Sequence, residues 1–136
     1  MPRIEKFEDI ESWKKARVLA SEVYRRTGSG SFSRDHGLRD QVRRAAVSVM
    51  ANIAEGFGRD GDREFRQFLG HAKGSACEVK SHLYVALDSG FLEKEDFDKL
   101  YAVATDAENL IAGFMRYLNK GRYSGLKFRS VKKTET

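Results

Sequence analysis

Apolar residues recur every three or four positions through four long stretches of this 136-residue chain, which predicts four amphipathic helices. In the first, Asp9 to Thr27, Trp13, Ala16, Ala20, Val23 and Tyr24 share a face, with Leu19 at its edge. Asp9 would offer its side chain to the free amides that follow as an N-cap. The segment from Gly28 to Ser33 ends this helix. The second helix, Gly37 to Phe57, has a core stripe of Leu38, Val42, Ala45, Val49, Ile53 and Gly56. It is apolar beyond that stripe, through Ala46, Val47, Met50, Ala54 and Phe57, as expected of a helix covered on more than one side. After Gly56-Phe-Gly-Arg-Asp-Gly, the third helix runs from Asp62 to Asp88 with a regular stripe through Phe65, Leu69, Ala72, Ala76, Val79 and Leu83. Gly90 suits a left-handed C-terminal cap with Phe91 folding back. The fourth helix runs from Lys94 to Lys120, with acids in its first turns matching the helix dipole and a stripe through Phe97, Leu100, Ala104, Ala107, Ile111, Met115 and Leu118. Short connections between such segments predict an all-α, antiparallel up-down four-helix bundle. Trp13, Leu38, Val42, Val49, Phe65, Leu69, Leu83, Phe97, Leu100 and Ile111 are its expected core.

Composition narrows the picture. The length suits one domain, because halves of it would bury too little core. The bundle is expected over 1–121, with a basic, flexible tail over 122–136. Pro2 is the single proline, consistent with uninterrupted helices. No apolar run reaches membrane-spanning length and the N-terminus has no apolar leader core, so a cytoplasmic protein is expected. Cys77 is the single cysteine, which excludes an internal disulfide and a Cys-rich zinc site.

Charge is unevenly spread. Residues 1–120 carry 20 Lys/Arg and 19 Asp/Glu, whereas residues 121–136 carry five basic residues and one acid, so the net +5 resides mostly in the tail. Arg43 and Arg44 are adjacent on the second helix; Arg59, Arg63 and Arg66 surround the turn into the third. Arginine forks fit phosphate oxygens. In the tail, Tyr123 and Phe128 alternate with Lys127, Arg129, Lys132 and Lys133, a pattern that lets rings stack on bases while cations hold phosphates. These nine basic residues are the candidate nucleic-acid contacts.

Catalytic and metal chemistry find no support. Glu78 and His82 share a flank of the third helix with His71, but their spacing differs from the Glu-x-x-His pairs of bundle di-iron sites. Cys77 shares no helix face with His71 or His82, and no phosphate-cradling loop or nucleophile elbow occurs. The chain is read as non-enzymatic, with no cofactor, metal or small-molecule substrate.

Three segments are more specific than their composition: Phe7-Glu-Asp-Ile-Glu-Ser-Trp-Lys-Lys-Ala-Arg, Arg43-Arg-Ala-Ala-Val-Ser-Val-Met-Ala-Asn-Ile-Ala-Glu-Gly-Phe-Gly-Arg and Glu64-Phe-Arg-Gln-Phe-Leu-Gly-His-Ala-Lys-Gly-Ser-Ala-Cys-Glu-Val. Together they resemble the four-helix-bundle proteins encoded in intervening sequences of bacterial 23S ribosomal RNA genes, from Phe7 to Asn119. More distantly the chain is similar to the accessory protein of diversity-generating retroelements. The resemblance implies an up-down bundle that forms a homopentamer, and an association with ribosomal RNA. The family usually carries proline where this chain has Met50, so the second helix is expected to be straighter.

Two functional readings follow. One is an oligomeric scaffold that binds RNA or a ribonucleoprotein; the alternative is a protein–protein interaction module without nucleic-acid contact. Self-association is expected through the back of the second helix (Val47, Met50, Ala54, Phe57) and the small-residue face of the third (Gly70, Gly74, Cys77, Ser81), since small residues let backbones approach and a wide apolar arc invites a partner. Asn52 and Glu55, beside the core stripe, are expected to hydrogen-bond to neighbouring helices or subunits in a structural role.

Overall fold

A computed structural model describes residues 3–120. The described residues are all-α: a 3-10 turn at Phe7–Asp9, then α1 (Glu11–Arg26), α2 (Gly30–Arg34), α3 (His36–Phe57), α4 (Asp62–Asp88) and α5 (Lys94–Asn119). The four long helices match the periodic segments to within two residues at each end. No helix among the described residues is long and apolar enough to cross a membrane.

Helix ends follow their local chemistry. The Asp35 carboxylate accepts from the Leu38 amide at 3.0 Å and caps α3. Past the end of α4, Gly90 adopts φ +79°, and the amides of Gly90 and Phe91 return to the carbonyls of Leu87 and Ala86. This double closure needs a left-handed residue, which glycine adopts without strain. Asp9 behaves differently from the N-cap expected of it. Its carboxylate turns back to accept from the amides of Glu5 and Lys6, because it belongs to the 3-10 turn and α1 begins two residues later. The backbone N–H of Glu5, foremost, holds the Asp9 carboxyl below its ordinary range.

The segment after α1 is more than a turn. Phe32 of α2 is buried and stacks on Phe91 of the α4–α5 connection, with ring centroids 5.6 Å apart. One aromatic residue thus pins a five-residue helix that could not persist alone.

α3 packs on α4 and α1, and α5 packs on α4 and α1. Cross-helix contacts show the register. Ser48 of α3 meets Ser75 of α4 at 3.0 Å, and Gly56 lies against Phe65 and Phe68. Lys80 of α4 meets Glu108 of α5 at 3.1 Å, and Arg26 of α1 meets Asp96 of α5 at 3.0 Å. At the α3–α4 and α1–α5 contacts, the end of one helix lies beside the start of the other.

The core between them holds Leu19, Val23, Val42, Val49, Ile53, Phe65, Leu69, Leu83, Leu100 and Ile111, all fully buried. Phe97 is buried too, whereas Trp13 and Leu38 are half-buried against the cluster. The inward face of α1 is turned from the one expected: Leu19 and Ser12 are central, and Tyr24 is 47% exposed. At 100° per residue, Ser12, Ala16, Leu19, Ala20 and Val23 form one arc, and Tyr24 falls outside it. Met50 and Phe57, expected on an outer patch, pack against the subunit's own core, because both lie next to the buried arc of α3. α3 continues without a break through Met50.

Candidate functional site

The polar flank of α3 meets α4 in a short chain of hydrogen bonds. The Asn52 amide donates to the Ser48 carbonyl at 2.8 Å and to Ser48 Oγ at 2.9 Å, and Ser48 Oγ pairs with Ser75 Oγ. Among the described residues Asn52 therefore reaches α4 through Ser48, its own bonds running back one turn along α3. Glu55, expected to bond to neighbouring helices or subunits, is exposed and within the subunit pairs with Arg59 at 2.9 Å, four residues on. Arg44, Gln41 and Glu78 border the seam at Ser48 and Ser75.

The candidate arginines divide into two groups. Arg43 and Arg44 lie early in α3, about 20 Å along the helix from its end at 1.5 Å per residue. Arg43 is committed to the fold. It donates to Thr27 Oγ1 at 2.8 Å and lies 4.4 Å from the centre of the Tyr24 ring, so it ties the end of α1 to α3. Arg44 is exposed. At the far end, Arg59, Arg63 and Arg66 surround the α3–α4 turn. Arg59 lies over the Phe68 ring at 5.0 Å, Arg63 is exposed, and Arg66 donates to the side-chain oxygen of Asn119 at the end of α5. Lys127, Arg129, Lys132 and Lys133 lie outside the described residues.

On the assembly surfaces, Val47 is exposed and Ala54 half-buried. Gly70, Gly74, Cys77 and Ser81 are all exposed on the outer face of α4. Among the described residues, a Cβ on Gly74 would meet nothing within 4 Å, and one on Gly70 only Met115 at 4.0 Å, so no close approach among them accounts for these glycines. Sequence reasoning missed the continuation of this face: Tyr84 and Val85 are each 49% exposed. Their helix angle, away from the Phe65–Leu83 stripe, was the available signal.

The seam between α4 and α5 carries the main electrostatic feature of the fold. Lys80 pairs with Glu108 and sits 4.6 Å from the Tyr101 ring centre. Burial opposes its charge, but Glu108 and Tyr101 prevail and raise its pKa. Although Cys77 is exposed, partial desolvation of its thiol, foremost, and the Glu108 carboxylate raise its pKa, which disfavours the reactive thiolate. His82 Nε2 lies 3.6 Å from Glu78; among the described residues no three His, Cys, Asp or Glu side chains group to hold a metal.

The described residues form an all-α protein with an exposed outer face on α4 and arginines around the α3–α4 turn. The chain matches the 23S rRNA-intervening sequence protein family over residues 8–113, and it belongs to that family. No curated protein matches it. Among solved structures, it resembles a protein of unknown function from the S23 ribosomal protein family of Bacteroides thetaiotaomicron VPI-5482. The two are 18% identical, with a TM-score of 0.70 over 76% of this chain and 97% of the other. At that identity the likeness is one of fold.

Proposed function

We propose that the protein is a non-enzymatic cytoplasmic scaffold: an antiparallel up-down four-helix bundle that assembles into a homopentamer and binds RNA at the end where α3 turns into α4. The cross-helix register supports the bundle topology. The homopentamer and the RNA association follow from the family resemblance, and the exposed small-residue face of α4 supports self-association. A ring of five brings two different patches of each subunit together; the face of Gly70, Gly74, Cys77 and Ser81 supplies one, and the outer side of α3 around Val47 and Ala54 the other.

One juxtaposition carries the RNA reading. Arg66 bonds Asn119, so the chain leaves α5 and enters residues 121–136, of net charge +4, from beside Arg59, Arg63 and Arg66. Basic groups distant in sequence thus start from one end of the subunit. Fluorescence anisotropy with a labelled single-stranded RNA and with a 23S ribosomal RNA fragment, over a salt series, tests this. Affinity should fall log-linearly with salt, and Arg63→Gln should flatten the slope by about 0.7 to 1. Removing the charges of Lys127, Arg129, Lys132 and Lys133 should flatten it further. Absent or salt-insensitive binding refutes the reading.

The alternative, a protein–protein interaction module, is favoured by two observations: residues 1–120 are nearly neutral, and Arg43 and Arg59 are engaged in intrachain contacts. Loss of all RNA binding with retained self-association would select it.

A further inference from the structure

A cleft of about 230 Å³ opens between the N-terminal segment and the last turns of α5. Ile4, Phe114 and Ser12 wall it, Leu110 stands half-open at its mouth, and Asp9 and Glu11 lie beside it. Ser12 is 2% exposed, yet among the described residues its Oγ has no hydrogen-bond partner. A buried hydroxyl without a partner costs free energy that an added backbone amide or carbonyl would recover. The volume is below that of ordinary small-molecule pockets, about 300–1,000 Å³, and suits one or two side chains.

We propose that this cleft is the docking site for residues 126–129 of the same chain, Leu-Lys-Phe-Arg. Three observations select this occupant. The first is reach. Phe114 lies five residues before the end of α5, about 8 Å back along the helix, and seven further residues to Leu126 span up to about 24 Å. The segment can therefore return to the cleft with slack, and a short tether gives it a high effective concentration there. The second is pattern. Leu126 and Phe128 alternate with Lys127 and Arg129, so an extended backbone sends the apolar pair to one side and the basic pair to the other. The third is charge. Asp9 accepts from the amides of Glu5 and Lys6, and Glu11 pairs with Lys14, its one ion-pair partner among the described residues, in an exposed contact that constrains it weakly. Leu126 or Phe128 fills the apolar cleft while Lys127 and Arg129 meet these carboxylates. In the docked form those cations are occupied by the body, and a polyanion must displace them.

Limited trypsin digestion of the full-length chain, in the absence of RNA, tests the docking independently of the RNA reading. Cleavage after Lys127 and Arg129 should be slow relative to cleavage after Arg122. Leu110→Ser, which opens the mouth of the cleft, should speed it about tenfold, since cleavage follows the population of the open form. An equal rate in wild type and variant overturns the proposal, as does protection that grows with protein concentration, which would assign the cleft to another copy. Methyl NMR of the full-length protein covers a misfolded variant: Phe128→Ser should shift the signals of Ile4 and Leu110, and unchanged signals also overturn it.

Discussion

A Cβ built on Gly56 of α3 would lie 2.7 Å from the Cβ of Phe68 on α4 and 2.9 Å from Cδ1 of Phe65. The two helices meet there with no room for a methyl group. Phe68 Cβ is fixed to its backbone, so a side-chain rotation cannot relieve the contact. Gly56→Ala gains about 1 kcal/mol of helix propensity, but overpacking costs about 1–3 kcal/mol. A net loss is expected, seen as a lower melting temperature; a variant more stable than wild type would show that α4 can shift.

Leu83 is fully buried in the middle of the core. Leu83→Ala should cost about 2–5 kcal/mol, the range for large-to-small changes that leave a cavity. The urea midpoint should fall with little change in slope. A loss below about 1 kcal/mol would mean that the site collapses around the smaller residue, contrary to the packing described.

The Lys80–Glu108 pair sets an alkaline limit. Lys80 has a pKa raised above its ordinary value of 10.5. A group raised in the folded state contributes stability that is present below its unfolded pKa and lost as pH rises through the folded value. Thermal stability should therefore drop as pH climbs beyond the ordinary lysine range, and Lys80→Met should make that drop shallower. Superimposable alkaline profiles for the two proteins would remove Lys80 from the explanation.

Among the described residues Gly74 has no neighbour within 4 Å of an added Cβ, so Gly74→Leu should leave the subunit folded with its helix content intact. If the outer face of α4 is an assembly surface, the bulky side chain blocks it. Light scattering should then report a smaller particle than wild type. A variant that keeps the wild-type mass moves the interface elsewhere.

Much of the fold was legible because helical periodicity is a local property. The stripe from Phe65 to Leu83 is regular, and its caps lie within a few residues, so α4 begins and ends where the pattern places it. α2 was illegible for the converse reason. It has five residues and one large apolar side chain, and what stabilises it is the stacking of Phe32 on Phe91, some sixty residues away. Tyr24 looked like a core residue from spacing alone. The arc that faces inward depends on which helices flank α1, and Arg43 from α3 covers Tyr24 from outside.

The candidate surfaces divide in the same way. The exposed row of Gly70, Gly74, Cys77 and Ser81 was readable because it lies opposite an unmistakable core stripe. Asn52 was readable as a polar residue near the core, but its path to α4 through Ser48 and Ser75 requires the register of two helices.

The sequence by itself determined where the long helices run, which face of α3, α4 and α5 carries the apolar load, and that the positive charge is concentrated after residue 120. These follow from neighbours within a turn or two, and from composition. Only the tertiary structure decided that Arg66 meets Asn119, that Lys80 meets Glu108, and that Ile4, Ser12, Leu110 and Phe114 enclose a cleft. Those contacts join residues 28 to 110 positions apart. They depend on how whole helices slide and turn against one another until their cores close, a choice made by the summed packing of many side chains.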